Sequence, residues 1–204
     1  MNKMWSAPAK KNCRRLPRKF YARSVLIVAK ELLGKRLVRK TSDGRIIARI
    51  VEVEAYGGSD DPASHAYRGL TQRNQVMFGK PGFAYVYFIY GNQYCLNVKA
   101  ETEGVPSAVL VRAVEVIHGM ELARRNRGLP SLKELSNGPG KLTKAFRISK
   151  VENGLDLVES KELYICESEE DNGWEISTSP RIGIKDGIDR PWRFYIESCR
   201  PVSN

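Results

Sequence analysis

The segment Arg49-Ile50-Val51-Glu52-Val53-Glu54-Ala55-Tyr56 sets two carboxylates at the end of an apolar stretch. Read as a strand, it alternates. Ile46, Ala48, Ile50, Glu52 and Glu54 take one face, and Ile47, Arg49, Val51 and Val53 take the other. A carboxylate drawn out of water is costly unless it is paired, so an acid here is either salt-bridged or functional. A functional one would stabilise positive charge or take a proton from water.

A second cluster is aromatic. Tyr85, Tyr87, Tyr90 and Tyr94 flank the turn Gly91-Asn92-Gln93. On a strand Tyr85 and Tyr87 share a face and Tyr90 takes the other. Such rings either pair across a hairpin or stack on nucleic-acid bases. A third cluster is Asn137-Gly138-Pro139-Gly140-Lys141. Glycines ahead of a helix expose backbone N–H groups, and the helix dipole and Lys141 add positive charge. The loop is thus an ordinary cap or an anion contact, and its spacing is not that of a Walker loop. Arg124-Arg125-Asn126-Arg127 reads as a solvated basic face.

Cys13, Cys95, Cys166 and Cys199 form no C-x-x-C pair, and His65 and His118 are the only histidines. That spacing gives no metal-ligand set, so neither a metal nor another cofactor is expected. Widely spaced cysteines in a domain of this size predict reduced thiols and a reducing compartment. The expected location is cytoplasm or nucleoid, or a nucleus in a eukaryote. No apolar run has the length of a membrane span. The N-terminus lacks the apolar centre of a secretory signal, so neither membrane insertion nor export is expected.

The elements that must position these residues follow from patterning. Residues 1–17 are basic and aperiodic and read as a flexible arm, leaving 18–204 as one domain. Ser24 caps a helix over Val25–Leu33, which Gly34 ends. A hairpin runs through 36–40, a turn at Ser42-Asp43-Gly44, and a strand over 45–55. A long loop covers 56–82. A second hairpin joins 83–90 to 94–100, and 105–116 is another long strand. Short helices cover 119–126 and 141–146. Short strands cover 162–166, 181–184 and 193–197. Strands outnumber helices and mostly join by hairpins. The predicted class is therefore α+β, with a largely antiparallel sheet and flanking short helices.

Composition agrees. The chain has 204 residues, 42% hydrophobic and 28% charged, which is enough apolar material for a core and excludes disorder throughout. Its net charge is +11, and so basic a domain calls for a polyanionic partner. The charge is uneven: residues 1–50 hold 15 basic and 2 acidic groups, whereas 151–204 hold 6 and 12. The acidic last quarter must face away from any polyanion.

The motifs together resemble a known family. V-E-x-E-A-Y (51–56), His65, R-N-x-x-M-F-x-K-P-G (73–82), Y-V-Y-x-I-Y-G (85–91), C-L-N (95–97), L-V-R-A-V-E (110–115), N-G-P-G-K-L (137–142), R-I-G-I (181–184) and R-F-Y (193–195) stand in order. That order is similar to the alkyladenine (3-methyladenine) DNA glycosylases, the ones without a helix-hairpin-helix. The similarity runs from about residue 16 to 200.

The resemblance implies a single mixed domain around a curved, largely antiparallel sheet, and an enzyme of base excision repair acting on double-stranded DNA as a monomer. It flips alkylated or deaminated purines of the 3-methyladenine, 7-methylguanine, hypoxanthine and ethenoadenine class out of the duplex. It then hydrolyses the N-glycosidic bond and leaves an abasic site without cutting the strand. Glu54 matches the catalytic glutamate, Arg112 an arginine at the water and phosphate, and Ile182 a backbone carbonyl contact to that water. Tyr56, His65 and Tyr87 match the walls of the base pocket, and Asn97 a gate against the 2-amino group of guanine. Tyr90 matches the residue that fills the gap in the duplex. Arg73 and Lys141 match contacts to the DNA backbone. Asn92 and Gln93 depart from the bulkier residues of vertebrate relatives at the turn beside Tyr90. The competing readings are a non-catalytic basic nucleic-acid-binding domain and an RNA- or nucleoside-processing enzyme. Turnover on lesion DNA separates the first, and competition between lesion duplex and RNA decides the second.

Overall fold

The computed structural model describes residues 13–89, 91, 93–128, 131–132, 134–168 and 173–199. Tyr90 and Asn92 of the aromatic turn lie outside them, as do residues 1–12. The chain runs α1 (Arg18–Tyr21), α2 (Val25–Leu32), β1 (Arg36–Thr41), β2 (Gly44–Tyr56), α3 (Gln75–Phe78), β3 (Ala84–Phe88), β4 (Tyr94–Lys99) and β5 (Ala108–His118). It continues through α4 (Met120–Arg127), α5 (Pro139–Ala145), a 3-10 turn at Lys150–Glu152, β6 (Leu163–Cys166), β7 (Ile176–Ser179) and β8 (Arg193–Ile196).

The pairings between strands are antiparallel, in the order β3-β4-β5-β2-β1-β6. β8 adds to the far end of β2 and carries β7. The result is a curled antiparallel sheet with short helices, the α+β class that patterning predicts. Against one face pack Val28, Ala29 and Leu32 of α2, Leu122 of α4, and Leu142 and Phe146 at α5. Pro139 at the first turn of α5 suits its missing N–H, so this helix starts two residues before the predicted boundary. Gly119 precedes α4 with φ +78, and a Cβ there would collide with the Arg45 carbonyl.

Strict alternation fails on the two long strands, and the failure makes the site. Ile46, Ala48 and Ile50 enter the main core, but further along Val51, Val53 and Ala55 do so. Ile50 pairs with Val114 and Glu52 with Ala113, which leaves Val51 as an extra residue on β2. Val53 then pairs with Val111, which leaves Arg112 as an extra residue on β5. A bulge inserts one residue, and a one-residue slip turns all that follows to the other face. Glu52 and Glu54 therefore do not continue the stripe of Ile46, Ala48 and Ile50. They project from the opposite face, as does Arg112.

Four further expectations need correction. Residues 181–184 form no strand; the regular strand lies earlier, at β7. The long loop contains α3 and is tied internally by buried Asn74. Its Nδ2 donates to the carbonyls of His65 and Gly69, and its Oδ1 accepts from the Thr71 N–H. Residues 13–17 are not an arm: Leu16 is fully buried, and Arg15 pairs with Cys166 beside β6. That pairing brings Cys13 and Cys166 to a Cα separation of 5.8 Å, and they form a disulfide, so the expectation of reduced thiols fails for this pair. Cys95 and Cys199 are free and buried. No helix among the described residues is long and apolar enough to cross a membrane.

Candidate active site

The face opposite the core carries a cavity of about 610 Å3. Its floor comes from alternate residues of the strands: Tyr56 on β2, Tyr85 and Tyr87 on β3, Cys95 and Asn97 on β4, and Leu110 and Arg112 on β5. Its rim comes from three connections, which bring His65, Asn137 to Lys141, and Ile182 to Ile184. The volume lies within the range of small-molecule sites and suits one nucleobase with its sugar.

Glu54 is fully buried beside this cavity. Its Oε1 accepts the Ile182 backbone N–H at 2.7 Å. Its Oε2 accepts the Tyr56 hydroxyl at 2.8 Å and faces Arg112 Nη1 at 3.2 Å. A carboxylate oxygen accepts two hydrogen bonds, so Oε1 retains capacity for a water. Arg112 also donates through Nε to Glu52 at 3.1 Å, and Arg193 Nε reaches the same oxygen at 2.7 Å. Charges thus alternate along Glu54, Arg112, Glu52 and Arg193. Burial works against the Arg112 cation, but the two glutamates outweigh it and hold the guanidinium charged. Burial, and then Glu54, push the Tyr56 phenol pKa far up, so it acts only as a donor to the carboxylate.

The aromatic wall is interlocked. His65 Nδ1 and the Tyr85 hydroxyl are 2.8 Å apart, and the His65 and Tyr87 rings meet edge-on with centroids at 4.6 Å. Burial, and then Arg73, lower the His65 pKa, which leaves the imidazole neutral near pH 7. Asn97 is buried, and its Nδ2 donates to the Tyr85 carbonyl at 3.0 Å. Lys141 Nζ is held by Glu134 and Asn137 at the cavity rim. The exposed Arg73 lies over the Tyr87 ring, its guanidinium 5.4 Å from the centroid.

Of the residues singled out in the sequence, Glu54, Arg112, Ile182 and Tyr56 converge through direct contacts. His65, Tyr87, Asn97 and Lys141 line the same cavity. Arg73 is not among the residues lining the cavity and meets it through the Tyr87 ring. Ile182 touches Glu54 through its N–H, whereas the expectation concerned its carbonyl. Residues 19–200 match the family described as Methylpurine-DNA glycosylase (MPG). The chain belongs to the methylpurine-DNA glycosylase family. It is 50% identical over 188 residues to a protein of Carboxydothermus hydrogenoformans, covering 92% of this chain and 98% of that relative. It is 49% identical over 189 residues to one of Rhodopseudomonas palustris, covering 92% and 90%. With one of Methanocella arvoryzae the identity is 48% over 195 residues, covering 92% and 95%. All three relatives carry the provisional name 3-methyladenine DNA glycosylase.

Within the methylpurine-DNA glycosylase family fold, pattern reading passes over several residues of this site. Glu52 shares a motif with Glu54, but its burial against two arginines depends on the bulges. Asp61 and Arg181 form a fully buried ion pair 120 residues apart, which no local signal announces. Met77 and Cys95 look like ordinary core residues, yet both line the cavity. For Cys95 the period-two spacing from Asn97 is the available clue, since both must face the same way.

Proposed function

We propose that the protein is a monofunctional DNA glycosylase that removes damaged purines from duplex DNA. The observation that carries the reading is Glu54: a buried carboxylate, held by the Ile182 N–H, the Tyr56 hydroxyl and Arg112, beside a cavity of nucleobase size. Breaking a purine–sugar bond leaves its electron pair on the base and builds positive charge on the sugar. Glu54 stabilises that charge and takes a proton from the attacking water, whose oxygen bonds to the anomeric carbon. The products are the free base and an abasic site.

Tyr56, His65 and Tyr87 offer ring faces and edges to an extruded base, and electron-rich rings favour the cationic alkylated purines. Asn97 occupies the position from which a side chain excludes the guanine 2-amino group. The net charge of +11 draws the polyanion in. Lys141, among the described residues the one lysine lining the cavity, is engaged by Glu134 and Asn137 rather than offered as a nucleophile. That arrangement supports hydrolysis over strand cleavage.

The test is to incubate the protein with duplexes bearing hypoxanthine, ethenoadenine or 3-methyladenine and then treat them with alkali. Alkali-dependent breaks at the lesion are expected. Breaks without alkali would overturn the monofunctional assignment. Tight binding with no breaks at all would favour a non-catalytic binding domain.

A further inference from the structure

The side chains of Asp61 and Arg181 are both 0% exposed and meet as a two-pronged fork. Arg181 Nη1 donates to Asp61 Oδ2 at 2.6 Å, and Nη2 donates to Oδ1 at 2.7 Å. The same Nη1 donates to the Ala55 carbonyl at 3.0 Å. Asp61 also accepts the Gly57 and Ala63 N–H groups, at 2.9 and 3.3 Å. Burial pushes the Asp61 carboxyl up, but the Arg181 fork and these N–H donors outweigh it and hold the pKa below the ordinary value.

Three segments converge on this pair: the end of β2, the loop after it, and the irregular stretch 181–184. Ala55 lies between Glu54 and Tyr56, so the fork grips the backbone between two site residues. The residue after Arg181 is Ile182, whose N–H sits 2.7 Å from Glu54 Oε1. The Arg181 guanidinium also lies 4.8 Å from the Tyr56 ring centroid. Because 181–184 is not a strand, a regular ladder does not hold it in place. A buried ion pair contributes little to stability over apolar groups of the same shape, since desolvation offsets the attraction. A bidentate arginine–carboxylate fork does impose geometry.

We propose that Asp61 and Arg181 are positioning residues: together they aim the Ile182 N–H at Glu54 and brace Tyr56, fixing the carboxylate in one orientation. The proposal rests on Glu54 being the reacting group. Neither residue touches the cavity contents; both act through Glu54 and Tyr56.

Two variants decide it. The double variant Asp61→Leu/Arg181→Met replaces the pair by apolar groups of similar volume, a change that commonly preserves folding. Arg181→Lys keeps the charge and loses the planar fork. Expected for the double variant are a melting temperature near that of the wild type and binding of a hypoxanthine duplex within about threefold. Its single-turnover excision should be slower by roughly 10²-fold, the scale of a small misplacement of a reacting group. Arg181→Lys should recover part of that rate. Hydrogen exchange at the Ile182 amide should be slow in the wild type and fast in both variants. Full excision by a stable double variant, or unchanged Ile182 protection in Arg181→Lys, would overturn the proposal. If the double variant does not fold, Arg181→Lys alone carries the same two measurements. A wild-type protein that binds but does not excise would overturn the glycosylase reading alone, and the exchange measurement would still decide the pair.

Discussion

Glu54 has donors on both carboxylate oxygens, so its orientation is set before any substrate arrives. Glu54→Gln keeps the size and removes the charge and the base. Excision in single turnover should fall by at least about 10²–10⁴-fold, the usual worth of general-base catalysis. Binding of lesion duplex should persist or tighten, because one negative charge near phosphate is gone. Equal losses of binding and excision would contradict the role. Asn97 is the second residue to test. Its amide is pinned to the Tyr85 carbonyl at the cavity floor, so Asn97→Ser opens space there. The variant should gain excision of guanine while still releasing hypoxanthine, and no gain on guanine would remove Asn97 as the gate. The acid of Glu54 was legible as a local contrast on an apolar strand, whereas Asn97 was singled out only by its place in the motif series that resembles the family. Asp61 and Arg181 were not legible. Each alone looks like a surface charge, and only the fold makes them partners.

At the level of elements, strands and hairpins were legible wherever alternation held. The two bulges were not, because an extra residue leaves no mark in composition. Their effect decides the site: without Val51 as an extra residue on β2, the carboxylates would point into the apolar core. The stretch 181–184 looked like a strand because its isoleucines alternate, but its partners are the Asp61 and Glu54 side chains rather than a neighbouring ladder. The start of α5 and the hairpin turn are also seated together. Thr143 Oγ1 donates to the Tyr94 carbonyl at 2.9 Å, and a Cβ on Gly140 would overlap the Gln93 side-chain amide. Gly140→Ala should therefore push the Gln93 amide aside at little cost in stability, because the far end of a flexible side chain is what must move and a helical position favours Ala over Gly. Thermal unfolding checks this, and a melting temperature well below that of the wild type would show that the turn does not yield.

For the whole molecule, charge and connectivity set the expectations. The basic excess read from the sequence predicts DNA binding that weakens steeply with salt, since neutralised phosphates release counterions. Titrations between roughly 50 and 200 mM salt should show a linear loss on a logarithmic scale, and a flat response would contradict the electrostatic reading. The disulfide was not legible, because its cysteines are 153 residues apart and meet only through the pairing of residue 15 with β6. Cys13→Ser should cost about 2–4 kcal/mol of stability. Excision at 25 °C should be retained, since β6 lies at the sheet edge away from β3 and β4. The same bond closes residues 13–166 into a covalent ring that includes the first six strands. A protease that cuts once inside that ring opens it without freeing a fragment. Such a nicked molecule would keep its full mass on a non-reducing gel and fall into two pieces only when thiol is added.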